Sequence, residues 1–431
     1  MTDEATLKSY STDKAFAVAC DGDDPLRTCR DEFSMPRRPD GTHALYFAGN
    51  SLGLKPHAAR EAVEEVMMAW SKRGVDGHFE GDRPWYRYHE ECRATGAALV
   101  GANEGEVVFM NSLTVNLHLM MVTFYRPTTK RFKVLMEYPV FPSDTYAVKT
   151  HLRHHGLDPA EALVIVAPRE GEHLVRTEDV EGAIAEHGDE LALVLLAGVN
   201  FFTGQVMDMA RIAAAAKARG CAVGFDVAHA AGNVPLRLHD WGVDFAVWCT
   251  YKYLNSGPGA VAGCYVHEAH ARNTELPRFG GWWGNDPKTR FQMHLQPEFV
   301  PRQDVDAWQL SNPPILALAP VRTSLAMFAR VGMTALREKS IRLTGYLRYL
   351  IDQLSPTRFE IVTPAEVDAQ GCQLSFLIHD RPRELHAALQ AGGVMCDFRE
   401  PNMVRVAPVP MYNNFHDVWR LAQVLKSDEA S

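Results

Sequence analysis

Short apolar runs alternate with helix-like segments through the middle of the chain, and few folds accommodate that alternation. Strands buried on both faces read as continuous apolar runs, and helical crossovers between them require parallel strands. Helix-like segments such as "TVNLHLMMVTFY" and "MARIAAAAKARG" lie between the runs. The pattern predicts a large α/β domain with a mostly parallel sheet over residues 60–318. The runs are "EVVFMNS", "RFKVLMEY", "EALVIVAP", "ELALVLLAGV", "CAVGFDVAH", "DFAVWCTY" and "VAGCYVHE".

The pattern changes after residue 318. A long helical stretch, "ALREKSIRLTGYLRYLIDQL", is followed by strand-like "CQLSFLI", helix-like "PRELHAALQAGG", strand-like "MVRVAPV" and a closing helix, "NFHDVWRLAQVLKS". We therefore predict a small C-terminal α/β domain over residues 319–431. Residues 1–59 lack an apolar core of their own, and we expect this N-terminal segment to pack with the small domain.

Composition excludes several classes of protein. The net charge is −9 and no basic run is present, which argues against a general partner for nucleic acid or an anionic membrane. The eight cysteines form no CxxC pair and are typical of reduced cytosolic thiols. The first residues are polar, without the apolar core of a signal peptide, and no apolar run is long enough to span a membrane. These features predict a cytoplasmic protein.

One lysine follows an apolar run where lysine is uncommon. Lys252 lies between two tyrosines in "CTYKYLN", directly after "VDFAVW". In an open parallel α/β sheet, ligands bind beyond the carboxyl ends of the strands. A lysine in a partly desolvated pocket there becomes a nucleophile that can form a Schiff base. The alternative is a lysine at the rim of the sheet with a solvated ammonium group.

Three further features suit a site for pyridoxal phosphate. Asp226, with His229 three residues on, follows an apolar strand where it could keep a pyridine nitrogen protonated. Ser112 and Thr114 precede a helix, where amides and a hydroxyl can bind phosphate. Phe141 at a turn offers a stacking face. Each has a plain alternative: a strand-end acid or helix cap for Asp226, N-caps for the hydroxyls, a core ring for Phe141.

Taken in order, these motifs resemble the kynureninase family. This family has the pyridoxal-phosphate-dependent transferase fold of type I, in the aspartate aminotransferase superfamily, with a large, mostly parallel domain and a small α/β domain. The resemblance covers nearly the whole chain. It rests on "FAGNSLGLKP", "GHFEGDRPW", "NSLTVNL", "FPSDTYA", "GFDVAHAAGN", "CTYKYLN", "GWWG", "SNPPIL" and "RVAPVPMYN".

The resemblance implies a role for each matching residue. Lys252 would bind the cofactor as a Schiff base and move protons, Asp226 would pair with the pyridine nitrogen, and Tyr251 would contact the phosphate, with or without a second role as acid and base. Ala197 departs from the hydroxyl residue that relatives often carry there. Implied cofactor contacts are Leu113, Thr114, Phe141, Pro142, Ser143, Asp144, Ala197, Asp226, His229, Tyr251, Lys252, Trp282 and Asn312; implied substrate contacts are Arg405, His78, Ser311 and Asn312; no metal is implied.

The implied reaction is hydrolysis of an L-kynurenine to an anthranilate and L-alanine. Arg405 would bind the substrate α-carboxylate, a task suited to the forked guanidinium. His78, Ser311 and Asn312 would face the aniline side, and we expect 3-hydroxykynurenine to be preferred over kynurenine. Trp282 and Asn312 would come from the second subunit of a homodimer. Such an enzyme serves tryptophan catabolism or the biosynthesis of NAD, and the sequence leaves that choice open.

Two other functions fit the same fold. A cysteine desulfurase would need a reactive cysteine on a mobile loop and usually carries "SxHK" where this chain has "TYK". A catalytically silent binding protein of this fold would not require Lys252, Asp226 and Arg405 together. Both are weaker predictions than a kynureninase.

Overall fold

A seven-stranded sheet lies at the centre of the computed structural model, which describes residues 10–429. Its strands are β1 (Val107–Phe109), β2 (Lys133–Glu137), β3 (Leu163–Val166), β4 (Leu191–Ala197), β5 (Ala222–Asp226), β6 (Phe245–Trp248) and β7 (Gly263–Val266). Their order across the sheet is β1-β7-β6-β5-β4-β2-β3. All pairs are parallel except those that β7 makes with β1 and β6. The predicted α/β fold is confirmed, with one strand in each predicted run.

The parallel strands end at one edge of the sheet and place three side chains there. β2 ends at Glu137, β4 at Ala197 and β5 at Asp226. Ala197 pairs directly with Asp226 in the register of β4 and β5. Two carboxyl groups therefore stand at the end of buried strands, where ligands bind in folds of this kind.

Helices cover both faces of this sheet and link its strands. The helices predicted between the runs are present, but two 17-residue helices, His57–Arg73 and Ile315–Val331, were not predicted. The α-helices are Lys14–Gly22, His57–Arg73, Arg93–Val100, Leu113–Phe124, Pro142–His154, Pro159–Ala162, Thr177–His187, Met209–Ala218, Glu268–Ala271, Ile315–Val331, Met333–Ile351, Pro382–Ala391 and Phe415–Glu429. Short 3-10 helices are Arg27–Glu32, Gly74–His78, Trp85–Cys92, Glu104–Glu106, Arg290–Leu295, Val305–Trp308 and Val367–Ala369.

A second, antiparallel sheet lies in the C-terminal part of the chain. It consists of β8 (Phe359–Ile361), β9 (Leu374–Ile378), β10 (Asp397–Arg399) and β11 (Met403–Val406), in the order β8-β9-β11-β10. β9 and β11 were predicted, whereas the short edge strands β8 and β10 were not. Two small pairs join distant parts of the chain: Phe33–Ser34 with Lys55–Pro56, and Leu45–Tyr46 with Val394–Met395.

The N-terminal segment contributes to two apolar cores. Ala17, Leu45 and Phe47 pack in the core of the second sheet, whereas Phe33 and Leu54 pack in the core of the first. The helix Ile315–Val331 crosses residue 318, and its buried side chains belong to the first core. The division into residues 1–59, 60–318 and 319–431 stays a prediction.

No single helix within residues 10–429 is long and apolar enough to cross a membrane. The helices Ile315–Val331 and Met333–Ile351 reach the required length and composition only as a pair, and they bend by 81° at their junction.

A histidine pair joins the helices Leu113–Phe124 and Pro142–His154. The rings of His118 and His151 are stacked at 5.0 Å between centroids, and His151 is 9% exposed. Burial, and after it the charges of neighbouring histidines, lowers the pKa of His151 to about 4. Its Nδ1 atom has no hydrogen-bond partner among residues 10–429. The folded protein therefore holds this ring neutral.

We predict that His151 makes the protein less stable in mild acid. Between pH 6.5 and about 4 the unfolded chain binds a proton that the folded chain does not, so stability is lost as the pH falls through this range. In the variant His151→Asn, the loss of unfolding free energy over this pH range should be smaller by on the order of 1 kcal/mol, a value that allows for solvent screening. Thermal midpoints at pH 5 and pH 7.5 test this, with exposed His294→Asn as the control. Parallel profiles for wild type and His151→Asn would contradict the prediction.

Candidate active site

A cavity opens at the edge where the parallel strands of the first sheet end. Residues from five strand ends and two helix starts meet there, although they are spread over the chain from the residues after β1 to those after β6. The sheet alone accounts for this convergence, since parallel strands all point their carboxyl ends the same way. The lining residues are Leu113, Thr114, Phe141, Asp144, Ala197, Val199, Phe201, Asp226, His229, Tyr251 and Lys252.

Lys252 lies in the loop that follows β6 and is half-buried. Its Nζ atom is 3.0 Å from Nε2 of His229 and 5.7 Å from the ring centroid of Phe141. Gly53 supports the loop, because its N–H donates to the carbonyl of Tyr251 at 2.7 Å. A Cβ atom at Gly53 would lie 2.3 Å from the carbonyl oxygen of Lys252, so only glycine fits there.

Two carboxyl groups share the floor of the cavity. Asp226 is fully enclosed by protein, and its carboxylate accepts a hydrogen bond from the N–H of Ala228 at 2.7 Å. Burial raises the pKa of Asp226, while Lys252 and a hydrogen bond from Asp144 lower it. Burial and then the charge of Asp226 raise the pKa of Asp144 well above its ordinary value. Asp226 is therefore the ionised member of the pair and Asp144 the protonated one.

Two helix N-termini converge on one side of the cavity. The helices Leu113–Phe124 and Pro142–His154 begin there, and neither has a side-chain cap on its first N–H groups. The hydroxyl groups of Thr114 and Ser143 are 3.1 Å apart and join the two starts. Free N–H groups and two helix dipoles form a strong site for an anion such as phosphate.

These groups fit pyridoxal phosphate. The cavity offers an amine, an anion site built from two helix starts, and an ionised carboxylate suited to a protonated pyridine nitrogen. Two buried atoms, Nδ1 of His229 and Oδ1 of Asp144, have no hydrogen-bond partner among residues 10–429. A polar ligand between Asp226 and the helix starts would account for both the buried charge and the unpaired atoms.

Three residues at the cavity were not predicted from the sequence. Val199 and Phe201 line it, and Glu137 lies behind it, where Oε1 accepts a hydrogen bond from the N–H of Ala197 at 3.1 Å. Burial raises the pKa of Glu137 to about 8. The sequence signal that could have identified Val199 and Phe201 was their position after β4 in "GVNFFTG", because loops after parallel strands carry ligand sites.

Several predicted residues lie away from this cavity within one chain. Trp282, Ser311 and Asn312 are not on its lining, and neither is His78. His78 and Asn312 instead line a second, open cavity that also contains Trp70. The hydroxyl of Ser311 donates to Oδ1 of the Asn312 side chain at 3.1 Å.

Arg405 is also off the cavity lining but contacts a residue on it. Its guanidinium is 2% exposed and bonds to the carboxylate of Asp397 and, at 2.5 Å, to the carbonyl of Phe201. The guanidinium carbon lies 5.7 Å from the ring centroid of Phe201. Pro142 and Ser143, in the first turn of their helix, flank the lining residues Phe141 and Asp144.

A separate cluster of one acidic residue and two histidines has the composition of a metal site, but its ligand atoms are already engaged in hydrogen bonds. Glu106, His239 and His267 lie close together. The carboxylate of Glu106 already accepts hydrogen bonds from His239 and from two backbone N–H groups. Nδ1 of His267 accepts from the N–H of Ala269, which leaves the ring proton on Nε2. Neither nitrogen of His267 is then free to bind a cation, and we interpret the cluster as a hydrogen-bonded link between surface helices.

Comparison with known proteins places the chain in a family. A sequence model of the kynureninase C-terminal domain matches residues 336–425. The chain is 52% identical to a kynureninase of Myxococcus xanthus over 97% of each chain, and 54% identical to one of Xanthomonas euvesicatoria over 94% of this chain and 96% of the other.

Solved structures agree on the fold. A cysteine desulfurase from Thermococcus onnurineus has a TM-score of 0.74 at 19% identity, covering 90% of this chain and 95% of that chain. The protein C-DES, with glycine linked to its pyridoxal phosphate cofactor, also scores 0.74 at 17% identity, covering 92% and 98%. At these identities the likeness shows the fold of type I alone, whereas the full-length sequence matches decide the family. The chain belongs to the kynureninase family of pyridoxal-phosphate-dependent hydrolases.

Proposed function

We propose that the protein cleaves the Cβ–Cγ bond of L-kynurenines with water, releasing an anthranilate and L-alanine. The observation that carries this proposal is the position of Lys252, 3.0 Å from His229 and facing a cavity with an ionised carboxylate and an anion site. The family assignment supplies the reaction, and the cavity supplies a residue for each of its steps.

Bound pyridoxal phosphate supplies an electron sink for the negative charge that develops on the substrate carbons. Asp226 would keep the pyridine nitrogen protonated, and the hydrogen bond from Asp144 would hold the Asp226 carboxylate in place. The N–H of Leu113, the hydroxyl of Thr114 and the neighbouring helix start at Pro142 and Ser143 would bind the phosphate. The groups for the two ends of the cofactor thus lie on rigid elements of the fold.

Lys252 performs the proton transfers. Its amine would hold the cofactor until the substrate amine takes its place, and the freed amine would then accept the proton from Cα. Burial, together with the charge of Lys252, lowers the pKa of His229 well below its ordinary value, so His229 stays neutral and can accept a hydrogen bond from Lys252. Phe141 would offer its ring face to the cofactor ring, and the 5.7 Å between its centroid and Nζ of Lys252 suits that role.

Tyr251 acts as a proton donor near the phosphate. Burial raises the pKa of its hydroxyl, so the phenol is protonated throughout the neutral range. We propose that it gives a proton to Cβ of the substrate as the Cβ–Cγ bond of the hydrated ketone breaks and Cγ leaves as the carboxyl carbon of the anthranilate. Ala197 lies beside Asp226 and carries no hydroxyl, so its side chain can donate no hydrogen bond to the cofactor.

The substrate side of the site comes from two subunits. His78 and Asn312 line a cavity of their own, next to the exposed ring of Trp70. Phe79 and Phe291 pack together at 5.9 Å and are each 58% exposed. We propose that this apolar surface is covered by a second copy of the chain. Its Trp282 and Asn312 then complete the cofactor site of the neighbour.

We propose that the enzyme prefers 3-hydroxykynurenine. His78 and Asn312 are polar groups of an otherwise apolar cavity, and the hydroxyl of Ser311 donates to Asn312, which suits recognition of a hydroxyl on an aromatic ring. Arg405 binds the α-carboxylate at the opposite end of the substrate.

The first test of the function is Lys252→Ala. We expect the variant to bind pyridoxal phosphate only reversibly and to lose at least about three orders of magnitude in kcat, because the covalent link and the Cα base are both gone. Borohydride reduction followed by peptide mass measurement should find the cofactor on Lys252 in the wild type. Lys130→Ala, which alters an exposed lysine, is the control. A Lys252→Ala enzyme of near normal activity would refute the assignment.

A second test uses mixed subunits. Lys252→Ala and Trp282→Ala should each be nearly inactive alone. If the site is shared between subunits, mixing them should restore about a quarter of wild-type activity, since half of the random dimers then carry one intact site. Sedimentation should show a dimer throughout. Activity that is not restored, with dimers present, would mean that Trp282 serves its own subunit.

Substrate preference provides a third test. We expect a higher kcat/KM for 3-hydroxykynurenine than for kynurenine. In the double variant Ser311→Gly with Asn312→Thr, the ratio of these two kcat/KM values should fall by about ten- to a hundredfold, because hydrogen bonds to the ring hydroxyl are lost. The control is His57→Gln, at a histidine that lines neither cavity. A wild-type enzyme that favours unsubstituted kynurenine would overturn the preference and leave the reaction unchanged.

A further inference from the structure

The side chain of Arg405 is held by an acidic residue directly opposite it in the second sheet. Asp397 on β10 and Arg405 on β11 are register partners in an antiparallel pair. One carboxylate oxygen of Asp397, Oδ2, accepts from Nε of Arg405 at 2.5 Å and also contacts Nη2. Asp397 therefore occupies the Nε–Nη2 edge of the guanidinium.

The remaining nitrogen of Arg405 bonds to the lining of the cavity. Nη1 donates to the carbonyl of Phe201 at 2.5 Å, and that carbonyl also accepts from Nε2 of Gln373 at 3.1 Å. With one edge bound to Asp397, a bidentate carboxylate can use only the terminal edge between Nη1 and Nη2. A substrate carboxylate takes this edge when Nη1 exchanges the carbonyl of Phe201 for it, and Asp397 keeps the plane of the guanidinium fixed during that exchange.

Charge at this cluster remains favourable for an anion. Arg399 donates from Nε to the same Oδ2 atom of Asp397 at 3.0 Å. Two guanidinium groups and one carboxylate leave one net positive charge beside the cavity. Arg399 is exposed to solvent and Arg405 is not, so the field of Arg405 is the less screened of the two. Asp397 therefore orients Arg405 without cancelling the attraction for a carboxylate.

We propose that Asp397 is a positioning residue for recognition of the substrate carboxylate. It acts through Arg405, holding the Nε–Nη2 edge so that the terminal edge faces the cavity beside Phe201. This inference rests on the proposed function, which takes Arg405 as the group that binds the substrate carboxylate.

The test measures binding of a ligand that cannot react. The probe is 4-(2-aminophenyl)-4-oxobutanoate, which keeps the aryl ketone and carboxylate of kynurenine and lacks the α-amino group; its primary amide is the neutral counterpart. Calorimetric titration of the holoenzyme with both compounds gives their Kd values. We expect Asp397→Asn and Asp397→Ala to weaken binding of the carboxylate by about ten- to a hundredfold and binding of the amide by less than about twofold. In kinetics, KM should rise more than kcat falls.

A matched control is Asp428→Asn. It removes the Asp428 carboxylate from another buried arginine–aspartate pair of the C-terminal region, that of Arg358, so a general effect of losing such a pair would appear there too. We expect Asp428→Asn to leave both Kd values unchanged. If Asp397→Ala does not fold, Asp397→Asn keeps the same shape and carries the test alone.

The outcomes distinguish an error in the proposed role of Arg405 from an error in the proposed role of Asp397. If Arg405→Gln leaves the carboxylate affinity unchanged, the proposed role of Arg405 is wrong. If Arg405→Gln weakens it but Asp397→Asn does not, or if Asp397→Asn weakens acid and amide equally, Asp397 has no positioning role and the proposed function stands.

Discussion

A carboxylate buried at the end of a strand is the constraint on which the site depends. Asp226 is buried, and the cation close to it among residues 10–429 is Lys252, which lies in the next loop of the sheet. An isolated buried carboxylate is costly, and a protonated pyridine ring is a suitable partner for it. The parallel sheet provides this arrangement, because β5 and β6 end at the same edge, and the protonated Asp144 stabilises the charge without adding another. The buried charge of Asp226 therefore needs the protonated cofactor as its partner.

The sequence was most informative where burial is complete. All seven strands of the first sheet were predicted from continuous apolar runs, which six of them have because they are almost entirely buried; the edge strand β3 has such a run although Ile165 is exposed. The helix His57–Arg73 was missed because much of it is exposed and charged, which blurs its apolar face. The helix Ile315–Val331 contains Pro320 and follows two prolines, so local signals opposed a helix that tertiary packing stabilises. The short strands β8 and β10 are held by pairing with neighbours far along the chain, which no local pattern records.

The residues of the site also divide into those that local sequence predicts and those that depend on distant contacts. Lys252, Asp226 and Thr114 were predictable because each follows a buried strand in a recognisable motif. Glu137 and Asp397 were not, since their importance comes from contacts with residues distant in sequence: Ala197 for one and Arg405 for the other. Fold alone would not have settled the chemistry either, because solved structures of this fold include a cysteine desulfurase, whereas relatives that match over nearly the full length are kynureninases.

The contact between Gly53 and the loop that carries Lys252 also affects the order in which parts of the protein can fold. Gly53 belongs to the N-terminal segment, whose neighbouring strand Leu45–Tyr46 pairs with Val394–Met395 near the other end of the chain. During synthesis this segment emerges well before its partner strand. Contacts of such long sequence separation form late and slowly in folding. The loop that carries Lys252 therefore gains its final support only after the Val394–Met395 strand has been made, and until then the polypeptide holds its lysine without the geometry that makes it reactive.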